Sequence, residues 1–140
     1  MTAVIRQTRD IPLCRALRRA VFIDEQGVSE ADEIDDEDDA AIHLLLSLGE
    51  TPLGSARLIL GHDYVKIGRV CVIKSARGRG HGAALIRAAV QIARSLPGIH
   101  NVTLGAQTHA LGFYAALGFS PVGPEFDDAG IPHQEMVMPL

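Results

Sequence analysis

The sequence predicts a single three-layer α/β domain (α+β in its segment order), with a central, mostly antiparallel sheet flanked by helices. Three observations lead there. The 140 residues fit one domain, 1–140, and suffice for an ordinary hydrophobic core. The composition, 47% hydrophobic and 21% charged with 14 glycines and seven prolines, is that of a globular chain built from many short elements. The segments follow the order β-α-(α)-β-β-β-α-β-α-β, which is neither a pure meander nor a repeating βα chain.

Thr2 to Arg6 alternates loosely, as a first strand does. Asp10 followed by Pro12 marks a helix start, Leu13, Leu17 and Val21 recur on one helical face, and Gly27 ends the helix. Residues 28–40 read as an acidic loop or a short second helix. Three strand-like runs follow, Ile42 to Leu48, Leu53 to Leu60 and Tyr64 to Ile73, separated by turn residues, and together they predict an antiparallel meander. After the polar loop Lys74 to Arg79, Gly80 to Leu96 is helical. Its predicted apolar face carries Ala84, Leu85, Ala88, Ala89, Ile92 and Ala93, and Pro97-Gly98 stops it. Val102 to Ala106 is a short buried strand, and Ala110 to Leu117 is a helix closed by Gly118. The tail holds strand candidates near Phe119 to Val122 and Gln134 to Met138.

Several classes are excluded early. No apolar run approaches the ~20 residues that span a bilayer. The opening MTAVIRQTRD lacks the apolar stretch of a signal peptide. Cys14 and Cys71 sit in apolar stretches without a CxxC or CxxH neighbour, so they read as reduced core thiols of a cytoplasmic protein. The six histidines show no metal-binding spacing, and no metal is expected. The net charge of −4 is unevenly spread: ten of the 17 acidic residues lie between Asp24 and Asp39, a segment without Lys or Arg. A basic body with one acidic loop suits an anionic ligand plus a cationic one, or else the loop only aids solubility. Without an Lys/Arg stripe, nucleic acid is not an expected partner, nor is a membrane.

The most informative segment runs from Val70 through Cys71 and Val72 to Arg77-Gly78-Arg79-Gly80-His81-Gly82. A strand enters a loop with glycines at alternate positions, and a helix leaves it. Glycine lets amide N–H groups turn inward, and the helix start adds unpaired N–H groups and its positive dipole end. Such a loop binds a pyrophosphate, with Arg77 and Arg79 available for charge-assisted hydrogen bonds. It lacks the Gly-Lys-Ser/Thr of a nucleotide-triphosphate loop and the GxGxxG spacing of a dinucleotide fold.

Here the chain resembles the GNAT superfamily of acyl-CoA N-acyltransferases. The family's Gln/Arg-x-x-Gly-x-Gly/Ala signature is matched at every specified position by Arg77 to Gly82. A second family pattern, Phe-Tyr-x-x-Leu-Gly-Phe, stands at Phe113 to Phe119. Val21-Phe22, Glu25-Gln26, the Glu33 to His43 stretch and Gly130-Ile131-Pro132-His133 further resemble the small ElaA-like subgroup.

The resemblance implies a cytoplasmic transferase, an acetyl-CoA-dependent N-acetyltransferase that moves acetyl to a primary amine of a small molecule or peptide by direct attack in a ternary complex. Acetyl-CoA would be a co-substrate rather than a resident group. Main-chain groups of Val70, Cys71 and Val72 would hold the pantetheine. Arg77, Gly78, Arg79, Gly80, His81, Gly82 and Ala83 would cradle the pyrophosphate, with Gln107 and Phe113 also on the coenzyme A side. Tyr114 would protonate the leaving thiolate, or else packs beside Phe113. The fourth strand offers no carboxylate as base, which leaves Glu33, His109 and above all His43 or His133. Glu33 and Asp35 would face a cationic amine acceptor. Cys71 has no adjacent base and is not expected to be a nucleophile. The resemblance leaves room for a homodimer, and for a second reading as a non-catalytic acyl-CoA-binding module.

Overall fold

The computed structural model describes residues 2–140. Its sheet has seven strands: β1 (Ala3–Thr8), β2 (Ile42–Leu48), β3 (Thr51–Leu60), β4 (Tyr64–Val72), β5 (Asn101–Gln107), β6 (Ser120–Asp128) and β7 (Ile131–Pro139). They lie in the order β1-β2-β3-β4-β5-β7-β6. Only β4 and β5 run parallel, as expected for two strands joined by a helical crossover. The predicted meander is β2-β3-β4.

The helices are α1 (Ile11–Arg18), α2 (Glu30–Glu33), α3 (His81–Ser95) and α4 (Leu111–Ala116). Asp10 caps α1 by accepting from the Leu13 N–H at 3.2 Å, and Pro12 sits in the first turn. The expectation of one α-helix running to Gly27 needs correction. From Arg19 to Glu25 the chain is wound as a π-helix, in which Gln26 N–H reaches back to the Val21 carbonyl at 3.1 Å. The wider turn keeps Leu17 and Val21 on the sheet while Phe22, Gln26 and Val28 turn to a cleft beside it. Gly27 does end the segment, at φ +75°. Both tail strand candidates form, but each runs to nine residues and they meet as a hairpin around Ala129-Gly130, so the order ends in β-β and not in a single β. Every residue of β6 is exposed, which removes the apolar alternation that announces a strand.

Two layers pack on opposite faces of the sheet, because successive strand residues point to opposite sides. On one face α3 lays Leu85, Ile86, Ala89, Val90 and Ala93 over Leu44, Leu46, Leu58, Val65 and Ile67. Its buried stripe is rotated from the predicted one, taking in Ile86 and Val90. On the other face α1 and the π-segment set Leu17 and Val21 on Leu45 and Cys71.

Beside that smaller apolar cluster lies a buried ion-pair network. Arg18 donates to both carboxylate oxygens of Asp38, at 2.9 and 2.7 Å, and to Glu33 Oε1 at 2.8 Å. Arg57, the one charged residue of β3, donates to both oxygens of Asp35, at 2.7 and 2.9 Å, and to Asp38 at 3.1 Å. Arg15 closes on Asp38 from the rim at 2.9 Å. The acidic segment is therefore not wholly a solvated loop: Glu33, Asp35 and Asp38 turn inward. These three carboxylates compensate the buried Arg18 of α1 and Arg57 of β3.

Burial alone would raise the Asp38 carboxyl, but hydrogen bonds from Arg18, Arg15 and Arg57 outweigh it and hold it well below the usual carboxylate range. A depressed folded pKa contributes stability above the unfolded value of about 3.9, and that contribution is lost as pH falls through the lower folded value. Breaking one partner of a buried pair costs about 3–5 kcal/mol. Asp38→Asn should lose about that much in urea unfolding at pH 7, and it should show a shallower loss of stability between pH 5 and 2 than the native chain, roughly the range where such a carboxylate titrates. Unchanged stability at both pH values would remove the network from the account of the fold.

Candidate active site

A cleft opens because two neighbouring strands part. β4 and β5 pair only from Tyr64 opposite Asn101 to Ile67 opposite Leu104. Beyond that point β4 stays on β3, with Cys71 opposite Ser55 and Val72 opposite Gly54, while β5 stays on β7, with Gln107 opposite His133. The parting coincides with a bulge at Arg69, whose φ of +51° is left-handed. The β5-facing main chain of Val70, Cys71 and Val72 thus meets a gap instead of a strand. Gly54 makes β3 narrow enough to stay: a Cβ there would sit 2.6 Å from the Cys71 carbonyl oxygen.

At the end of β4 the glycine loop leads into α3. Gly78 and Gly80 take φ +78° and +80°, and a Cβ at either would meet nothing within 4 Å. No side chain caps α3. Amides at the start of a helix have no partner within it, so those of His81, Gly82 and Ala83 are left for a ligand, and the open space beside the glycines fits an anion such as pyrophosphate. Gly82 faces Phe113, with 3.7 Å between its would-be Cβ and the ring. Arg79 is exposed. The side chain of Arg77 is engaged elsewhere: it pairs through both Nη atoms with Glu25, at 2.6 Å for Nη2, and its Nε donates to the Val72 carbonyl at 3.0 Å. The hydrogen bonds from Arg77 lower the Glu25 pKa. Arg77 therefore fastens the loop to the π-segment, and the expectation of a guanidinium free for phosphate is corrected.

The cleft between the diverging strands has a volume of about 370 Å³. Tyr114, Gln107, Arg69, Gln26 and His133 all line it. The Tyr114 ring stands edge-on to Phe113 and Phe119, at 5.0 and 6.2 Å between centroids. It is thus both a packed aromatic and a cleft residue. Burial pushes its phenol above the ordinary value, so the group stays protonated and can donate. Gln107 donates to Gln26 Oε1 at 3.2 Å, and its own carbonyl faces His109 Nε2 at 2.7 Å.

The structure separates the two favoured histidines. His43 is 3% exposed, lies 2.8 Å from the Asp38 carbonyl through Nε2, and is absent from the cleft lining. His133 does line it. His109 lies at the rim, tied to Gln107. Glu33 and Asp35 border the cleft, but as partners of arginines. Arg69 Nη2 donates to the Glu33 carbonyl at 2.9 Å and to Asp35 at 3.3 Å, and the Arg57 hydrogen bonds lower the Asp35 pKa. The reading of these two as free carboxylates for a cationic ligand is corrected: their charge is compensated by Arg18, Arg57 and Arg69. The exposed carboxylates on the lining are Asp32, Glu37 and Asp128.

Cys71 is buried on the α1 face with its sulfur 3.4 Å from Ser55 Oγ, and burial raises its thiol pKa. The Cys14 thiol is pushed up by burial to about 11. Neither has the electropositive, accessible setting of a nucleophile. Among the described residues no group of three His, Cys, Asp or Glu is arranged to hold a metal, and no helix is long and apolar enough to cross a membrane.

Sequence reasoning missed Arg57, Arg69, Gln26 and Phe126. Arg57 carried a signal, since a lone cation in the run Leu53 to Leu60 must find an anion if the strand is buried.

Comparisons with known proteins agree with this geometry. The family description "Acetyltransferase (GNAT) domain" matches residues 19–140. An uncharacterized N-acetyltransferase of Bacillus subtilis, YjcF, is 37% identical over 122 residues, covering 86% of both chains. The crystal structure of Escherichia coli ElaA superposes with a TM-score of 0.86 at 27% identity, covering 98% of this chain and 99% of that one. An acyl-CoA N-acyltransferase from Pseudomonas aeruginosa gives 0.84 at 28% identity, covering 98% of each. The chain belongs to the GNAT acetyltransferase family, and the ElaA likeness agrees with the subgroup resemblance.

Proposed function

We propose that the protein is an N-acetyltransferase that takes its acetyl group from acetyl-CoA and gives it to a primary amine held in the same cleft. The observation that carries this reading is the open glycine loop at the uncapped start of α3, adjoining the gap between β4 and β5. In it the free amides of His81, Gly82 and Ala83 receive the pyrophosphate. Arg79 adds charge from the surface. The main chain of Val70 to Val72 that faces the gap receives the pantetheine as a strand receives a partner, with the Val72 carbonyl shared with Arg77. Acetyl-CoA supplies the acyl group as a thioester. The chain aligns that thioester with the amine, and such alignment accounts for much of the acceleration in reactions of this kind. Tyr114, protonated and lining the cleft, gives its proton to the departing sulfur. Asp32 and Asp128 against Lys66 leave the unpaired charge of the lining negative, which favours a cationic acceptor.

Gly80→Asn tests the loop, because asparagine tolerates the left-handed backbone yet puts a side chain into the open space. Acetyl-CoA affinity by calorimetry should fall tenfold or more while the fold survives. Native affinity in this variant would move the pyrophosphate elsewhere.

Tyr114→Phe keeps the ring and its two edge contacts and removes only the hydroxyl. General acid catalysis contributes about 10²–10⁴-fold, so kcat should drop at least tenfold, with acetyl-CoA affinity little changed. An unaltered kcat, measured where chemistry limits turnover, would leave Tyr114 as packing. Tight acetyl-CoA binding with no thiol release on any amine of a broad panel would favour the non-catalytic module instead.

A further inference from the structure

We propose that His133 is the general base of this site, taking the proton from the acceptor ammonium at Nε2. The inference rests on the acetyltransferase reading above and deepens it. Its first support is a fixed tautomer. His133 Nδ1 lies 2.7 Å from the Ile131 carbonyl oxygen. A carbonyl cannot donate, so Nδ1 carries the hydrogen, and the lone pair of the neutral ring is on Nε2.

The second support is the ring's seat. His133 is 9% exposed, yet it lines the cleft. It stacks on Phe126 of the neighbouring strand, 5.8 Å between centroids and 27° between planes. Gly105 of β5 lies against both rings: a Cβ there would stand in ordinary contact, 3.5 Å from Phe126 Cζ and 4.0 Å from His133 Cδ2, the carbon bonded to Nε2. One ring nitrogen is anchored, one ring face is covered, and the Nε2 edge borders a position without a side chain.

The third support is the state of the alternatives. His43 is buried against the Asp38 carbonyl, away from the cleft. Glu33 is bonded to Arg18, and Asp35 to Arg57 with its pKa lowered by those bonds, which makes it a poor proton acceptor. In the register of β5 and β7, His133 stands opposite Gln107, beyond the last β4–β5 pair. It therefore sits on the rim of the gap that receives the thioester.

The protons balance. His133 Nε2 takes one proton from the ammonium, leaving a neutral amine and an imidazolium. The amine lone pair forms the N–C bond, and the C–S bond breaks with its electron pair on sulfur. Tyr114 gives its proton to sulfur and recovers one from the new amide nitrogen, and the imidazolium returns its proton to solvent. The charged and titratable groups that share the cleft lining with His133 are Asp32, Glu33, Asp35 and Glu37 of the acidic segment, Arg57 on β3, Lys66 and Arg69 on β4, Tyr114 on α4 and Asp128 on β6.

Two measurements test this. Nitrogen-15 NMR of histidine-labelled, ligand-free protein should show His133 with a protonated Nδ1 and an unprotonated Nε2 at pH 8. The opposite tautomer overturns the proposal without any acceptor being known. His133→Asn keeps a donor for the Ile131 carbonyl but has no basic nitrogen. With the best amine from a panel of spermidine, lysyl peptides and aromatic monoamines, its kcat/KM should fall about 10²-fold or more, with acetyl-CoA affinity unchanged. The acidic limb of the native pH profile should disappear, and added imidazole should restore rate to His133→Ala. Native kcat/KM and an unaltered pH profile in His133→Asn overturn the assignment and leave the acetyltransferase reading standing. Native protein that binds acetyl-CoA and acetylates no amine overturns that reading, and His133's role with it.

Discussion

The divergence of β4 from β5 after Ile67 and Leu104 is the constraint on which the rest of the site depends. A parallel pair would ordinarily continue its ladder until one strand ends. Here β4 cannot follow β5, because the bulge at Arg69 turns the chain through a left-handed residue. Such a conformation costs a non-glycine residue about 1–2 kcal/mol, so something must hold it. What holds it is the Arg69 side chain, which reaches the main-chain carbonyls of Asp32 and Glu33 and the Asp35 carboxylate. The bulge and the acidic segment are thus one device. The segment supplies acceptors for Arg69, and Arg69 keeps open the gap that the segment walls.

This explains why Glu33, Asp35 and Asp38 turn inward from the acidic segment. Burying Arg18 and Arg57 against the sheet would be prohibitive unless each met anions of good geometry. Asp38 serves three arginines and Asp35 serves two, in part through bidentate contacts of the kind arginine makes well. One atom is left over: Arg57 Nε is buried with no hydrogen-bond partner. A network that dense fixes the wall of the cleft with charges instead of apolar contacts. The wall accordingly remains polar on the side that faces the cleft.

Much of the fold was legible, for reasons that sit in particular residues. Gly80 before an apolar helical run, and Asp10 with Pro12 before another, are local signals that tertiary structure had no reason to override. The glycine loop was legible because only backbone freedom explains alternate glycines between a strand and a helix. The π-helix was not, since Leu13, Leu17 and Val21 keep the same spacing on the sheet whether or not the turn after Arg18 widens. The reach of β6 beyond Val122 was hidden by its complete exposure and by Gly123 and Pro124. In the site, Tyr114 and His133 were on the page as residues, but their tertiary surroundings were not. That Glu33 pairs with Arg18, 15 positions away, and Asp35 with Arg57, 22 positions away, depends on how α1 and β3 stack, which no window of sequence reports.

The end of the π-segment shows how those pieces join. Glu25 and Gln26 are adjacent, yet they bind opposite rims of the gap: Glu25 takes Arg77 from the loop after β4, and Gln26 takes Gln107 from the end of β5. The register of a π-turn is what lets Phe22, Gln26 and Val28 reach the cleft while Val21 stays in the core. An α-helix continued through Glu25 would advance 100° per residue and separate these roles differently. The unusual winding is therefore matched to the divergence of the strands beneath it. The sheet opens at Arg69, and a short dipeptide spans the opening, so the distance between the glycine loop and the β5 rim is set by two side-chain contacts and not by a backbone ladder.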